Sequence, residues 1–153
     1  LPITNKCYQL YAKYIITDRE PIFVSQSLLK ARMYFYSDFN KWWSMMPKNY
    51  LELIKEPYFR QVVLQHYYIN KQMYADLNKL TGHNNYILVG YRDLCIDRDK
   101  VFKIIINLFN YEKYKDSFVD NELFESRELS LDKDLLNKVK IEIEKLDWND
   151  YKS

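Results

Sequence analysis

The sequence predicts an α/β fold in which short apolar strands alternate with helices. Two runs rich in β-branched and aromatic residues are expected to be strands, at about residues 13–17 and 85–91. The second run is continuously apolar, which is typical of a parallel strand covered on both faces. Apolar residues at helical spacing follow each strand, as a layered α/β architecture requires. We therefore predict a single domain over residues 1–153, with the two strands parallel and side by side in one sheet.

Prolines, capping residues and apolar spacing predict the helices. Pro21 suits a first helical turn, where its missing N–H costs nothing, and this helix should reach about Tyr36. Its apolar residues lie almost all round, so we expect it to be well buried. Further helices are predicted from Pro47, from Pro57 to about Leu80, from about Arg98 to Phe109, and from about Asp132 to Leu146. The helix from Arg98 should direct inward Val101, Ile104, Ile105 and Leu108.

Composition excludes several classes of function. The 153 residues include 23 basic and 21 acidic side chains, a balance that predicts no nucleic-acid partner, because such proteins carry a basic surface. Two glycines, Gly82 and Gly90, cannot build a glycine-rich phosphate loop or a dinucleotide fingerprint. The two cysteines and two histidines lack the spacing of a zinc site, so no metal is predicted. No apolar run approaches the length of a membrane span.

The first strand, turn and helix form a candidate anion site. Arg19 follows the strand, at the sheet edge where open α/β folds bind ligands. The next helix directs its first N–H groups and the positive end of its dipole toward the same place. The arginine fork fits phosphate oxygens, and Ser27 in the second helical turn adds a hydroxyl donor. The same residues also fit a salt-bridged surface arginine and a serine that is merely tolerated in a helix.

The residues around Arg19 resemble the 3′-phosphate motif of the PAPS-dependent sulfotransferase family. That motif is an apolar strand followed by Arg-(Asp/Asn)-Pro and by a serine eight residues after the arginine. Arg19, Pro21 and Ser27 stand at those places. Glu20 replaces the usual Asp or Asn, and Ile22 replaces a common second arginine. By this resemblance, Arg19 and Ser27 bind the 3′-phosphate of 3′-phosphoadenosine 5′-phosphosulfate (PAPS).

A second stretch resembles the same family. The run from Ile87 to Asp97 is similar to the family's strand ending in Tyr-Glu-Asp-Leu, which an acidic turn follows, although Arg92 replaces the usual Glu. By resemblance Tyr91 lies near the bound nucleotide; judged alone, Tyr91 equally fits an aromatic residue that closes a core strand. The two stretches occur in the family's order and cover about residues 10–110.

The resemblance implies an incomplete, P-loop-NTPase-like sulfotransferase fold, so that the domain over residues 1–153 is a partial one. The implied activity is transfer of a sulfuryl group from PAPS to a hydroxyl or amine of an unknown acceptor, with PAPS or adenosine 3′,5′-bisphosphate (PAP) as the bound nucleotide. In the family, the 5′-phosphosulfate loop and the general base lie upstream, whereas 18 residues precede Arg19 here. We therefore assign no catalytic residue, give none to His66 or His83, and predict that the isolated chain is inactive.

Two other hypotheses stay open. In one, the chain is a non-catalytic nucleotide-binding or interaction module. In the other, the matches are accidental and the chain is an aromatic-rich helical binding protein. The stretch from Phe39 to Met46, with adjacent tryptophans, fits an acceptor pocket or a core or interface segment. If no strand pairs with the outer edge of the first strand, we expect that edge to recruit a second copy or a missing amino-terminal segment, and the isolated chain to self-associate or be poorly soluble.

Overall fold

A computed structural model describes residues 13–80, 86–110 and 131–150, and these ranges are mixed α/β and mostly helical. The elements in chain order are β1 (Tyr14–Asp18), α1 (Pro21–Tyr36), α2 (Tyr50–Leu53), α3 (Tyr58–Leu80), β2 (Tyr86–Gly90), α4 (Tyr91–Ile96), α5 (Arg98–Phe109) and α6 (Lys133–Glu144). The predicted α/β class is therefore confirmed. Predictions that concern Cys7, Gly82, His83 and the stretch 111–130 lie outside the described residues. The elements divide into two compact units, one built on the strands and one helical.

The two strands pair in parallel, as the sequence predicts. Their register runs from Tyr14 opposite Tyr86 to Asp18 opposite Gly90. Ile16 and Val89 are buried, but 42% of Ile15 and 48% of Leu88 remain exposed. A parallel strand normally has both faces covered, so the described part of this small sheet is less protected than its apolar sequence suggests.

The strand unit continues from β2 directly into two helices. The sequence predicts only a turn after β2, yet α4 begins at Tyr91 without an intervening loop. Asp97 then caps α5, accepting a hydrogen bond from the Lys100 N–H at 3.0 Å. Val101 is buried as predicted, whereas Ile104 is 42% exposed. The buried face of α5 is therefore narrower than its apolar spacing predicts.

The helical unit has a compact apolar core where α1, α3 and α6 meet. Its buried members are Leu29, Val62, Val63, Leu135 and Val139. Around them lie half-buried rings and aliphatic side chains, including Phe39, Tyr58, Phe59, Ile143, Leu146 and Trp148. The start of α6 is fixed by Asp132, whose carboxylate accepts from the backbone N–H groups of Asp134 and Leu135. Burial of these apolar side chains is the main stabilising contribution to this unit.

Helix α1 has the bounds that the sequence predicts, but the prediction that it is well buried is wrong. Its buried residues are Ser25, Gln26, Leu29 and Arg32, which follow the spacing of one helical face. The aromatic residues of its last turn point outward instead, with Tyr34 83% exposed. The helix ends at Ser37, which is left-handed with φ of 53° and donates its N–H to the Met33 carbonyl at 2.9 Å.

Within the described ranges, none of the helices combines the length and apolarity needed to cross a membrane. The same ranges hold no group of three or more histidine, cysteine, aspartate or glutamate side chains placed to bind a metal ion. Cys95 is buried in α4 as a free thiol.

Candidate functional site at the carboxyl edge of the sheet

Arg19 and Tyr91 are the residues that immediately follow β1 and β2. Because Asp18 pairs with Gly90 in the parallel register, both residues leave the sheet at its carboxyl edge. The guanidinium carbon of Arg19 lies 4.4 Å from the centroid of the Tyr91 ring, which is a cation–π contact. Ligands of open α/β sheets bind at this edge. The structure therefore brings together two of the three residues that the sequence predicts for the site.

The contact between Arg19 and Tyr91 suits recognition of an anion. Both side chains are half-buried, so part of the Arg19 side chain remains accessible to solvent. The guanidinium carbon lies 4.4 Å from the ring centroid, so the Tyr91 ring helps to hold the guanidinium in place. A planar fork fixed in this way matches the oxygens of a phosphate or carboxylate group.

Acidic residues surround the same edge, so it is not broadly positive. Asp18 and Glu20 flank Arg19 in the chain, and Asp93 stands in the first turn of α4. A Cβ atom on Gly90 would lie 2.7 Å from Asp93 Oδ2, so the absence of a side chain at Gly90 lets this carboxylate fold back toward the strand end. An anion at this edge would therefore depend on Arg19 itself and not on a general positive field.

Ser27 lies in the second turn of α1 and is half-buried, in the helical unit. Its role stays a prediction of the resemblance. Its neighbours are less accessible to solvent: Ser25 is 0% exposed and Gln26 is 5% exposed. Ser25 Oγ and Gln26 Oε1 have no hydrogen-bond partner among the described residues. Buried polar atoms without a partner are uncommon and require water or a ligand, so these two side chains are candidates that sequence reasoning missed.

Arg32 is the centre of a buried polar network in the helical unit. The side chain is 0% exposed, and its Nη1 donates to Gln61 Oε1 at 2.8 Å and to the Phe39 carbonyl at 3.0 Å. Its Nη2 donates to Gln65 Oε1 at 3.2 Å. Burial lowers the pKa of Arg32 to about 10, against a smaller opposing effect of Tyr50. Arg32 therefore remains charged at neutral pH.

The two glutamines extend this network into the loop between α1 and α3. Gln61 Nε2 donates to the carbonyls of Glu56 at 2.7 Å and Ile54 at 3.3 Å. Gln65 Nε2 donates to the carbonyls of Trp43 at 2.8 Å and Met45 at 2.9 Å. One buried guanidinium and two amides thus bind five backbone carbonyls of the segment between α1 and α3.

Aromatic rings cover the outer side of that loop and the last turn of α1. Phe35 stacks on Trp43 with ring centroids 4.0 Å apart and an interplanar angle of 11°. Tyr34 contacts Phe35 edge-on at 4.9 Å, and Tyr36 contacts Trp43 at 6.0 Å. We call these four residues the aromatic cluster.

The groove beside the loop has a volume of about 310 Å³ and is lined by Pro47, Lys48, Asn49, Tyr68, Lys71, Gln72 and Ala75. The tryptophans do not line this groove, so they do not form an acceptor pocket there.

A further polar cluster fixes the carboxyl-terminal residues to α3. Asp150 Oδ2 accepts from Lys71 Nζ at 2.6 Å and from Tyr67 Oη at 3.1 Å. The hydrogen bond from Lys71 lowers the pKa of Asp150, with a smaller contribution from Tyr67, and the same bond raises the pKa of Lys71. His66 lies on the same helix, with its Nε2 2.9 Å from the Asn70 amide and its ring 5.3 Å from that of Trp148. These contacts are structural, so no catalytic role is assigned to His66.

One sequence signal could have revealed the Arg32 network. Polar side chains seldom occupy the inward face of an apolar helix unless they satisfy one another. Arg32 interrupts the apolar residues of α1, and Gln61 and Gln65 are four residues apart on α3, which places them on the same helical face. The aromatic cluster gave no such signal, because exposed and buried aromatic residues look alike in a sequence.

No protein-family model matches this chain, and comparisons with curated proteins and with solved structures likewise find no similar protein. The candidate site therefore rests on the geometry of the strand ends and on the residues that occupy them.

Proposed function

We propose that this chain binds a 3′-phosphorylated adenosine nucleotide, PAPS or PAP, as the nucleotide-binding part of a sulfotransferase-type domain. The observation that carries the proposal is the contact between Arg19 and Tyr91 at the carboxyl edge of two parallel strands. Arg19 would hold the 3′-phosphate through its in-plane N–H groups. Tyr91 would hold the guanidinium plane in place and lie beside the nucleotide.

The residues present fit a phosphate group in charge and shape. The guanidinium of Arg19 offers a planar fork of N–H donors and lies against the Tyr91 ring. The resemblance also implies the hydroxyl of Ser27 as a donor. Glu20 is the least favourable feature, because its carboxylate would repel a phosphate nearby.

Bound PAPS would supply the sulfuryl group, and the residues proposed here would only orient the nucleotide at its far end. Such remote contacts contribute to positioning and not to bond making. We therefore expect no sulfuryl transfer by this chain alone. An assay with radiolabelled PAPS and a panel of hydroxyl and amine acceptors would test that expectation, and clear turnover would contradict it.

The second candidate function is a non-catalytic interaction module. The exposed aromatic cluster of the helical unit favours it, because rings exposed in such number mark binding surfaces. The Arg19–Tyr91 contact and the aromatic cluster belong to different units, so the two functions are compatible in one chain.

Calorimetric titration with PAP tests the nucleotide proposal. Arg19→Ala should weaken binding about tenfold to hundredfold, because a hydrogen bond to a charged group contributes roughly 1.5–3 kcal/mol. The matched control is Arg92→Ala, which removes an exposed arginine next to Tyr91. Unchanged binding in Arg19→Ala, or an equal loss in both variants, would exclude a specific role for Arg19.

A further inference from the structure

We propose that the aromatic cluster is a docking surface for an anionic lipid bilayer, to which the chain attaches peripherally. The cluster consists of Tyr34, Phe35, Tyr36 and Trp43. This inference does not depend on nucleotide binding, because it rests on residues of the helical unit alone.

The rings of the cluster are contiguous and protrude from the surface. Tyr34 is 83% exposed, Phe35 54% and Tyr36 42%, and the Phe35–Trp43 stack joins the helix to the loop. The loop adds two exposed thioethers, with Met45 65% and Met46 62% exposed. A ring that is 83% exposed stands out from the protein, which suits insertion into a soft medium. Amphipathic rings such as tyrosine and tryptophan favour the boundary between lipid headgroups and acyl chains.

The charges around the cluster are mainly positive. Lys41 is exposed, and its Nζ lies 5.8 Å from the centre of the Tyr36 ring. Lys30 precedes Tyr34 by one helical turn, and the exposed Lys48 follows the loop methionines. The acidic residue of this segment, Asp38, accepts hydrogen bonds from the backbone and side-chain amides of Asn40. Apolar rings with surrounding lysines complement a surface of acidic headgroups above acyl chains.

Transfer of the backbone behind the rings from water into lipid costs little free energy. The carbonyls of Phe39, Trp43 and Met45 already accept hydrogen bonds from Arg32 and Gln65. Trp42 Nε1 also donates to the Met45 carbonyl, at 3.2 Å. A carbonyl without a partner would oppose transfer into lipid. Because the buried network satisfies these groups from the inside, the loop can present its side chains to an apolar medium.

Sedimentation with vesicles tests the proposal. The full chain should bind vesicles of phosphatidylcholine containing about 30% phosphatidylserine, and bind phosphatidylcholine vesicles much more weakly. The double variant Tyr34→Ser with Met45→Ser should lose binding. Lys41→Glu should weaken binding to the anionic vesicles by about thirtyfold, since one positive charge near such a surface accounts for about fivefold and the substitution changes the charge by two. High salt should also weaken binding of the unmodified chain to the anionic vesicles.

Ile141→Ser is the matched control, because Ile141 is 53% exposed on α6 and lies outside the cluster. It should bind anionic vesicles as the unmodified chain does. Failure of the unmodified chain to bind either vesicle would overturn the proposal, and so would an equal loss in Ile141→Ser. Size-exclusion chromatography with light scattering adds one further outcome. If the Tyr34 and Met45 substitutions convert an oligomer to a monomer, the cluster is an interface between copies and the proposal is wrong.

Discussion

At the scale of single residues, Arg32 shows how a charge can be kept inside an apolar unit. The hydrogen-bond acceptors of its guanidinium are two amides and a carbonyl, and none of them carries a charge. Its Nε has no hydrogen-bond partner among the described residues. The loss of hydration is offset by three charged hydrogen bonds and by the Trp42 ring 5.1 Å away. The arginine therefore serves to fix a loop more than to add stability by charge pairing.

Arg32→Met should destabilise the helical unit by about 3 kcal/mol, because it leaves Gln61, Gln65 and the Phe39 carbonyl buried without their donor. Urea denaturation followed by circular dichroism measures this change. Arg92→Met removes an exposed arginine and should leave the free energy of unfolding nearly unchanged. Equal stability of the two variants would show that the network contributes little.

At the scale of elements, α3 anchors the chain's carboxyl-terminal residues through one carboxylate. Asp150 is held by Lys71 and Tyr67, and the Trp148 ring packs against Tyr67 with centroids 5.5 Å apart. The folded-state pKa of Asp150 lies below its ordinary value of 3.8. The anchor therefore contributes fully above that ordinary value, and its contribution is lost as the pH falls through the lowered pKa.

Acidification should consequently detach residues around Asp150 from α3 at a pH below 3.8. Fluorescence of Trp148 reports this step, because the ring lies against both Tyr67 and His66. Asp150→Asn should be detached already at neutral pH and lack the acid step. An acid step of the same size in Asp150→Asn would contradict the role given to this carboxylate.

The elements also show how far the sequence could predict the structure. The parallel pairing of β1 and β2 was predictable, because their apolar runs are short, well bounded and separated by helices. The start and end of α1 were predictable from Pro21 and the apolar run after it. Helix α4 was missed because its six residues are too few to show a helical period. The outward face of α1 was also missed, because its apolar residues do not distinguish a core face from a binding face.

The candidate site was predictable only in part. Arg19 and Tyr91 follow directly from the strand ends, so parallel register was enough to bring them together. Ser25 and Gln26 could not be chosen from the sequence, because burial of a polar side chain depends on which face of α1 meets the core. Local pattern fixes the elements, whereas burial of individual polar residues is set by packing.

At the scale of the whole molecule, the small sheet predicts association between copies. Ile15 and Leu88 remain exposed on β1 and β2, and an apolar, accessible strand surface recruits further strands. We expect self-association that rises with concentration in sedimentation-velocity experiments. The double substitution Ile15→Thr and Leu88→Thr replaces two exposed apolar side chains with threonine, which is less apolar and still favours a strand. This variant should shift the chain toward monomer. Ile141→Thr is the control for an exposed apolar residue outside the sheet. A monomer at every concentration would contradict this prediction.

A cycle of two ligands and two proteins measures directly whether Arg19 binds a 3′-phosphate beside Tyr91. The affinities of PAP and of adenosine 5′-monophosphate are determined by calorimetry for the unmodified chain and for Arg19→Ala. The account predicts that the unmodified chain prefers PAP by more than about tenfold, as a charged hydrogen bond requires, and that Arg19→Ala shows almost no preference. The same preference in both proteins would show that the 3′-phosphate is not bound by Arg19 and would contradict the account.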